Sequence, residues 1–215
     1  EKTGSEGKYA MAVWACAENC EVTLEDLTVT QDITHTVHKQ MDMIYTSKGT
    51  IIINSGSFTS GTPAWTLNCR DAAFKDGSAK IIVNGGTFTG FDPRNNAAEG
   101  HGTSFVAEGV GVDYGENGSF TATPNMAAQV IDTDGNSVKA YKTLAEAFNA
   151  AIEGQTVKLL ADTTEDVEIN KSITLDLGGK TLTNKNAGKA TITIANGATA
   201  TVKNGSVAGG AKYYN

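Results

Sequence analysis

The sequence predicts an all-β solenoid, in which short coils made of strands stack on one another, and three observations lead to this prediction. A six-residue phrase recurs six times along the chain. The 215 residues include 24 Gly and only 3 Pro, and the Val, Ile and Thr residues fall in short runs that are typical of strands. A single segment has the apolar periodicity of an amphipathic helix.

The repeated phrase has Ser or Thr in its fifth position and Val, Leu or Phe in its sixth position in every copy. Successive copies in the first half begin 29, 30 and 32 residues apart, and the two late copies begin 25 residues apart. Repeats of this length indicate a stack in which each coil buries its apolar face only against its neighbours. The six copies are residues 24–29, 53–58, 83–88, 115–120, 177–182 and 202–207.

The positions of the phrase have different expected roles. We expect the apolar residues at its first and sixth positions to point inward and to stack on their counterparts in neighbouring coils, while the Ser or Thr faces outward. Gly occupies the fourth position in four copies and makes the corner, because it adopts left-handed backbone conformations without strain. Asn assists the corner by bonding the backbone.

Strands flank the phrase in each predicted coil. Residues 9–16 and 21–29 form the first pair around a turn, 43–45 and 50–53 the second, and 65–67 and 80–83 the third. A coil that consists of strand, loop, strand, corner and strand has the three-sheet cross-section of a right-handed parallel β-helix.

Residues 91–113 interrupt this rhythm. A segment that is long and rich in Gly, Asn and charge is typical either of a functional excursion or of a packed cover over the last coil. Phe91, Phe105 and Val106 give the segment apolar residues of its own, which favours the cover. We therefore assign β-helix coils with a long covering loop to residues 1–125.

The predicted helix lies at residues 143–153. Thr143 and Glu146 have the spacing of a capping box, in which each side chain satisfies a free amide at the helix start. Apolar residues then share one face, and Gly154 stands where a helix commonly ends. We assign a hairpin or linker to residues 126–141, with its turn at Asp134-Gly135, and helix-capped coils to residues 142–215.

This second stretch resembles a known group of proteins. Residues 141–157, followed by 173–182, resemble the capped opening of pectate-lyase-like right-handed β-helix proteins. Residues 83–93 are similar to repeats in large surface and fibre proteins of gut-type bacteria and their phages. The resemblance implies the fold over most of the chain. It does not select a function, because one solenoid hosts lyases, glycosidases, adhesins and passive fibres.

Catalytic members of that superfamily use clustered carboxylates, with calcium and an arginine base in lyases or a pair of acids in glycosidases. The candidate residues here form no recurring acidic stripe and match none of those motifs: Arg70, Asp71, Asp92, Arg94 and His101. His35 and His38 have no evident third metal ligand. We therefore predict that the protein is not an enzyme and has no cofactor or metal site.

Charge and hydropathy argue against two classes of partner, and the cysteines leave two alternatives. A net charge of −7, with no basic face, argues against a nucleic-acid partner. No stretch approaches the ~18 apolar residues that would indicate membrane insertion, and the first residues lack the apolar core of a signal peptide. Cys16 and Cys20 flank a predicted turn. They either form a disulfide bridge with each other or are small turn and core residues, and Cys69 is a small core or turn residue.

The two ends of the chain are the main functional clue. The chain begins with strands that no cap precedes and finishes directly after a copy of the phrase, so we expect unpaired strand edges and apolar coil faces at both ends. The residues expected at an assembly interface are Tyr9, Ala10, Val13, Val207, Tyr213 and Tyr214.

These ends predict a structural subunit of an extracellular filament or fibre, at a cell surface or on a virion, whose copies assemble head-to-tail. A repeat of a longer surface adhesin is open within the same class, with glycans or a host surface as candidate partners. The alternative from another class is a carbohydrate-binding or carbohydrate-degrading β-helix module, with the loop residues named above lining a groove. Carboxylates and aromatic platforms that converge in a groove would favour this alternative, and a flat polar surface would favour the fibre.

Overall fold

The structure is a computed structural model that describes residues 11–31 and 41–209. These residues form an all-β solenoid of about six turns with parallel sheets, as the sequence predicts. They divide into two compact units, of which the first contains residues 11–31, 41–107 and 115–122 and the second contains 108–114 and 123–209. Neither described helix has the length and apolar character that crossing a membrane requires.

The strands and helices have the following bounds. The first nine strands are β1 (Val13–Leu24), β2 (Leu27–Gln31), β3 (Ile44–Ile53), β4 (Gly56–Ser60), β5 (Leu67–Cys69), β6 (Ala79–Val83), β7 (Gly86–Thr89), β8 (Gly111–Tyr114) and β9 (Ser119–Thr123). The remaining strands are β10 (Ala128–Ile131), β11 (Ser137–Tyr141), β12 (Thr156–Leu159), β13 (Thr163–Thr164), β14 (Val167–Ile169), β15 (Ile173–Asp176), β16 (Thr181–Thr183), β17 (Ile192–Ile194), β18 (Ala200–Lys203) and β19 (Ser206–Ala208). The α-helices are α1 (Asp71–Lys75) and α2 (Leu144–Ala150).

Parallel pairing builds the coils of the first unit. Strand β3 pairs with β1 on one edge and with both β5 and β6 on the other, while β2, β4 and β7 pair in that order. Ile53 therefore lies opposite both Leu24 and Val83, and Phe58 lies opposite Phe88. The predicted stacking of the phrase is confirmed for its first three copies.

The stacked phrase residues form the core of these coils. Ile53, Phe58, Val83 and Phe88 are fully buried. The rings of Phe58 and Phe88 stack nearly in parallel, with their centroids 5.1 Å apart. Burying one such side chain contributes about 1.5–3 kcal/mol, and an aromatic pair adds about 0.5–1.5 kcal/mol. This ladder is therefore a principal source of the stability of the first unit.

The fourth-position Gly leaves room for the neighbouring coil. Gly56 has a φ of 127°, and a Cβ atom there would lie 2.5 Å from the carbonyl oxygen of Leu27 in the adjacent coil. A side chain would push the coils apart and strain the backbone. Leu27 occupies the fourth position of the first copy, where Asp26 instead adopts the left-handed conformation, with a φ of 51°.

The fourth copy of the phrase does not continue the parallel stack. Its strand β9 runs antiparallel to β7, with Phe120 opposite Phe88. Asn117 and Gly118 both have left-handed φ values, 57° and 69°, and form a tight turn just before β9. Such a turn reverses the chain, whereas the corner of a coil bends it into the next sheet. The expectation that all six copies are equivalent is therefore wrong here.

Residues 91–107 pack against β5 and β6. The N–H of Val83 donates to the carbonyl oxygen of Phe105 at 2.8 Å, and the side-chain amide of Asn96 donates to the carbonyl oxygen of Leu67 at 2.7 Å. Phe105 is buried. This segment therefore adds a layer of irregular chain to the third coil.

Three parallel sheets build the coils of the second unit, in the orders β12-β15-β18, β13-β16-β19 and β14-β17. Leu182 lies opposite Val207, so the last positions of the fifth and sixth copies align. At the other end, Leu175 and not Leu177 lies opposite Val202. The predicted alignment of the first positions is therefore wrong by two residues. The corner of the fifth copy is two residues longer and contains a turn in which the Lys180 N–H donates to the carbonyl oxygen of Leu177 at 2.8 Å, with left-handed φ values at Gly178 and Gly179.

The predicted hairpin is also confirmed. Strands β10 and β11 pair antiparallel, and the free edge of β10 pairs antiparallel with β12. Ala128 therefore lies between Tyr141 and Leu159. The hairpin extends this sheet on the side away from β15.

Helix α2 has the predicted capping box. The N–H of Glu146 donates to the Thr143 hydroxyl, and the N–H of Thr143 donates to the Glu146 carboxylate, both at 3.1 Å. Leu144, Ala147 and Phe148 are buried in the core of the second unit. The helix therefore covers the first coil of this unit with its apolar face.

The helix ends earlier than the sequence predicts. It stops at Ala150 instead of residue 153, because Ala151 already has an extended conformation with a ψ of 144°. Ile152 is 64% exposed and does not share the buried face. The Ile152 N–H donates to the side-chain oxygen of Gln155, which ties down the chain just after the helix.

Two charged side chains from the coils bind the ends of α2. The Glu165 carboxylate accepts hydrogen bonds from the N–H groups of Leu144 and Ala145, at 2.9 and 3.2 Å. The Lys171 ammonium donates to three carbonyl oxygens at the other end, at 3.2, 2.9 and 2.6 Å. Those carbonyls belong to Phe148, Asn149 and Ala151. Negative charge at a helix N-terminus and positive charge at its C-terminus both stabilise the helix.

Replacing Lys171 with Met should destabilise the second unit. The substitution keeps the apolar stem but removes the donor of three hydrogen bonds, so we expect the free energy of unfolding to fall by roughly 1.5–3 kcal/mol. Urea denaturation monitored by circular dichroism measures this change. Lys185→Met, at an exposed residue, is the control and should leave the midpoint unchanged. Equal midpoints for both variants would contradict the stabilising role of the Lys171 hydrogen bonds.

Candidate functional site

The outer coil of the first unit is the first candidate surface. We call residues 21–31, the end of β1 together with β2, the N-face. Strand β1 pairs with β3 and β2 pairs with β4, and no other described strand pairs with either of them. Leu27 is 40% exposed and Val29 half-buried, whereas Phe58, the counterpart of Val29 in the next coil, is fully buried. The N-face thus combines a strand edge that has no partner among the described strands with partly exposed apolar side chains.

The outer coil of the second unit is the second candidate surface. We call residues 200–208, which contain β18 and β19, the C-face. Among the described strands, β18 pairs only with β15 and β19 only with β16. Val202 is 41% exposed and Val207 47%, whereas their partners Leu175 and Leu182 are fully buried. The same stacking that buries the inner residues leaves the outer ones at this face open.

The two faces carry different charges. On the N-face, the Glu25 carboxylate accepts a hydrogen bond at 2.7 Å from the Asn54 side chain, which in turn accepts one at 2.9 Å from Asn84. This polar ladder runs along the stack and ends in a carboxylate, beside the exposed Asp26. On the C-face, Lys203 is exposed. The faces are therefore complementary in charge.

Part of the predicted assembly interface lies in the described region. Val13 is half-buried, and its N–H donates to the carbonyl oxygen of Met43 at 3.3 Å. Val207 is exposed on the C-face. The other predicted interface residues, Tyr9, Ala10, Tyr213 and Tyr214, lie outside the described residues.

The first unit also contains an open cleft of about 510 Å³. The parallel pairing of β3 with β5 places Tyr45 opposite Asn68, and both line the cleft. Strand β5 then leads directly into helix α1, which brings in Arg70 and Asp71. The side chains that give the cleft its chemical character are Asp42, Tyr45, Trp65, Asn68, Arg70 and Asp71.

The inner part of this cleft contains a buried amide and a half-buried carboxylate. Asn68 is only 7% exposed, and its side-chain N–H donates to Asp42 Oδ1 at 2.8 Å. Its own Oδ1 is buried and has no hydrogen-bond partner among the described residues. Burial raises the pKa of the Asp42 carboxyl, and the hydrogen bond from Asn68 offsets part of that rise.

A second carboxylate lies behind the cleft. Glu99 accepts a hydrogen bond from the backbone N–H of Cys69 at 2.6 Å. Burial raises the pKa of Glu99. Burial also raises the pKa of the Cys69 thiol, and the nearby Glu99 charge adds to the rise. Because the thiolate is the nucleophilic form, this buried cysteine is poorly suited to nucleophilic chemistry.

The structure does not gather the predicted catalytic candidates into one site. Arg70 and Asp71 line the cleft, where both are exposed. Asp92 and Arg94 instead pair with each other through two hydrogen bonds, at 2.9 and 2.8 Å. His101 is exposed in the covering segment.

The structure also bears on the metal-ligand candidates and on the cysteines of the sequence analysis. Residues 11–31 and 41–209 contain no cluster of three His, Cys, Asp or Glu side chains with the geometry of a metal site. His35 and His38 lie outside these ranges. Cys16 and Cys20 both carry free thiols, so the disulfide alternative is not the one found.

The sequence analysis missed Asp42, Asn68 and Glu99. No motif joins Asp42 to Asn68, which are 26 residues apart, a spacing unlike that of the phrase. The predicted strands at 43–45 and 65–67 gave no signal for this contact, because stacking them in parallel places residue 42 before the start of one strand and residue 68 after the end of the other. Glu99 approaches through the irregular covering segment, and no periodicity in the sequence could have placed it.

Comparison of the chain with protein-family models, with curated proteins and with solved structures finds no match. The β-solenoid itself is shown by the structure. The family resemblance of residues 141–157 and 173–182 stays a prediction.

Replacing Asp42 with Asn should stabilise the protein in a pH-dependent way. Because burial raises the pKa of Asp42 above that of the unfolded chain, ionisation disfavours the folded state. This penalty is absent below the unfolded pKa and is fully present above the folded pKa. The variant should therefore unfold at higher urea than the wild type at about pH 7 and at nearly the same urea at about pH 3.

The matched control is Asp134→Asn, in the exposed turn between β10 and β11, which should shift neither midpoint. Equal stabilisation by Asp42→Asn at both pH values, or a loss of stability near neutral pH, would contradict this account of the cleft.

Proposed function

We propose that this protein is a structural subunit whose copies assemble head-to-tail, with the C-face of one copy stacked on the N-face of the next. One observation carries the proposal. The two outer coils present the same six-residue phrase, at residues 24–29 and 202–207, along strand edges without a described partner. Open edges and exposed apolar positions are features that a second chain can cover by strand addition.

The geometry of the two corners supports this pairing. Both phrases have the same length, and in both the third residue adopts the left-handed conformation, with a φ of 51° at Asp26 and 59° at Asn204. Val202 can therefore lie opposite Leu24 while Val207 lies opposite Val29. This pairing would extend two sheets at once, as each junction inside the first unit does.

Charge favours head-to-tail contacts over contacts between like faces. In the proposed register, Lys203 lies opposite Glu25, and an opposite-charge pair across strands contributes about 0.2–1 kcal/mol. Two N-faces would instead bring Glu25 and Asp26 against the same carboxylates. A contact between two different faces that does not close on itself produces a filament.

In this proposal the filament or fibre is extracellular, at a cell surface or on a virion, and its lateral surface contacts glycans or a host surface. The same stacking would join successive repeats of a longer adhesin. Neither role needs a catalytic residue, so the proposal includes no enzymatic activity.

A carbohydrate-binding or carbohydrate-degrading module is the second candidate, and one observation favours it. The cleft brings the aromatic side chains of Tyr45 and Trp65 together with the carboxylates of Asp42 and Asp71. Polysaccharide turnover that is lost in Asp42→Asn and Asp71→Asn, with folding intact, would favour this candidate.

Charge reversal tests the assembly proposal. Lys203→Glu places two carboxylates at each junction, and Glu25→Lys places two ammonium groups there. We expect either variant alone to assemble about tenfold more weakly than the wild type, a change of about 1.4 kcal/mol per junction. Sedimentation velocity and negative-stain microscopy of the purified full chain measure the length of the polymers.

Rescue makes the test specific. An equimolar mixture of the two variants should assemble as alternating copies, because each reversed face then meets an opposite charge, and the double variant should assemble alone. Lys80→Glu, an exposed charge on β6, is the control and should assemble like the wild type. A wild-type protein that stays monomeric at high concentration, or single variants that polymerise normally, would overturn the proposal.

A further inference from the structure

The cleft in the first unit has a chemistry that head-to-tail assembly does not use. We propose that it binds an organic cation with N–H donors, an ammonium or guanidinium group, between Asn68, Asp42 and the aromatic rings of Tyr45 and Trp65. This inference is independent of the assembly proposal, because none of these four residues belongs to the N-face or the C-face.

The first observation is the unpartnered oxygen of Asn68. Asn68 lines the cleft, is only 7% exposed, and has a side-chain oxygen without a hydrogen-bond partner among the described residues. Leaving a buried acceptor without a donor costs about 1–3 kcal/mol. The oxygen is covered, so the proposal includes a rotation of the Asn68 side chain that turns the oxygen toward the cleft, where an N–H or O–H group of the ligand would recover that cost.

The second observation is an uncompensated carboxylate. Asp42 is half-buried and accepts the hydrogen bond from the Asn68 amide, and no described Lys or Arg forms an ion pair with it. A desolvated negative charge gains more from a cation than from a neutral group. The Asp42 carboxylate therefore favours a cationic ligand over a neutral sugar, because a sugar would leave the negative charge without a counter-charge.

Carboxylates outnumber cations among the charged side chains that line the cleft, which are Asp42, Asp71 and Arg70. The pKa of Tyr45 is raised by burial and by the carboxylates of Asp42 and Asp71, and Arg70 is the cation that opposes them. Arg70 is exposed, whereas Asp42 is half-buried. An anionic ligand would meet repulsion at the inner end of the cleft.

Aromatic side chains complete the arrangement. Tyr45 and Trp65 are half-exposed and line the same cleft as Asp42. A cation over an aromatic face contributes about 0.5–1 kcal/mol at an exposed site, and the methylene groups of an alkylamine can cover the ring. The cleft volume of about 510 Å³ is ample for one amine-bearing chain. The cation can come from a free amine or from a Lys or Arg side chain of a peptide.

Calorimetric titration of the full chain with n-butylammonium and with n-butyltrimethylammonium separates charge from hydrogen bonding. Both probes carry one positive charge, but only the first has N–H donors for the Asn68 oxygen. We expect n-butylammonium to bind with a dissociation constant of about 1 mM and the quaternary probe to bind roughly tenfold more weakly.

The peptide acetyl-Gly-Lys-Gly-amide distinguishes a free amine from a lysine side chain as the source of the cation. Binding equal to that of n-butylammonium indicates a free cation, and tighter binding indicates a lysine-bearing chain. Both results support the proposal.

Protein variants provide the second arm, with circular dichroism to confirm folding. Asp42→Asn keeps the shape and removes the charge, so it should weaken the binding of n-butylammonium about tenfold. Arg70→Gln removes the opposing cation and should strengthen it, whereas the same change would weaken the binding of an anion. Asp134→Asn is the matched control and should leave the affinity for n-butylammonium unchanged.

Four results would overturn the proposal. They are no saturable binding of n-butylammonium up to about 10 mM, equal affinity for the quaternary probe, unchanged affinity in Asp42→Asn, or binding of D-glucose instead of n-butylammonium.

Discussion

The stacking of phrase residues on their counterparts one coil away is the interaction on which this structure depends. A single coil encloses too little apolar surface to form a core, so each buried side chain needs a partner in the next coil. Phe58 is completely buried because Phe88 lies against it, whereas Val207, in the outer coil, is 47% exposed. Burial is thus set by a residue's place in the stack, and the outer coils keep unsatisfied capacity for packing.

That constraint also explains why some coil faces are covered. In the second unit, α2 and the β10–β11 hairpin occupy the side of the stack that begins with β12, and Glu165 and Lys171 fix the helix there through its unpaired backbone groups. In the first unit, residues 91–107 lie against the third coil. In each unit, a segment outside the repeated coils thus covers a coil face that would otherwise be exposed. The N-face and the C-face are the two faces without a described cover, which is why the functional proposal rests on them.

Sequence could predict those parts of the fold that local chemistry determines. The phrase predicts the first three stacked corners, the Thr143–Glu146 pair predicts the helix start, and the Asp134-Gly135 turn predicts the hairpin. The fourth copy has the residues of a corner but lies in a turn that reverses the chain. The Gly118 conformation that makes this turn is as accessible to a glycine as the conformation of a coil corner. The choice between them depends on tertiary contacts.

One part of the candidate surfaces could be predicted from the sequence and another part could not. Val207 was accessible to prediction because its exposure follows from its position in the last phrase. The cleft was not, because Asp42 and Asn68 meet through a pairing of β3 with β5 whose register differs from that of β3 with β6. Ile44 pairs with Leu67, 23 residues on, whereas Ile53 pairs with Val83, 30 residues on. The chain between β5 and β6, which includes α1, absorbs this difference, and its conformation follows no repeat.

Disulfide formation between Thr59→Cys and Thr89→Cys tests the stacked register most directly. These residues lie opposite each other on β4 and β7, with their hydroxyl oxygens 3.2 Å apart, so the paired cysteines should bridge readily under mild oxidation. The native cysteines Cys16, Cys20 and Cys69 are replaced first in the tested chain. The account predicts near-complete cross-linking of this pair and little cross-linking of Ser57→Cys with Thr89→Cys, which is offset by two residues. Equal cross-linking of both pairs, or a preference for the offset pair, would contradict the in-register stack.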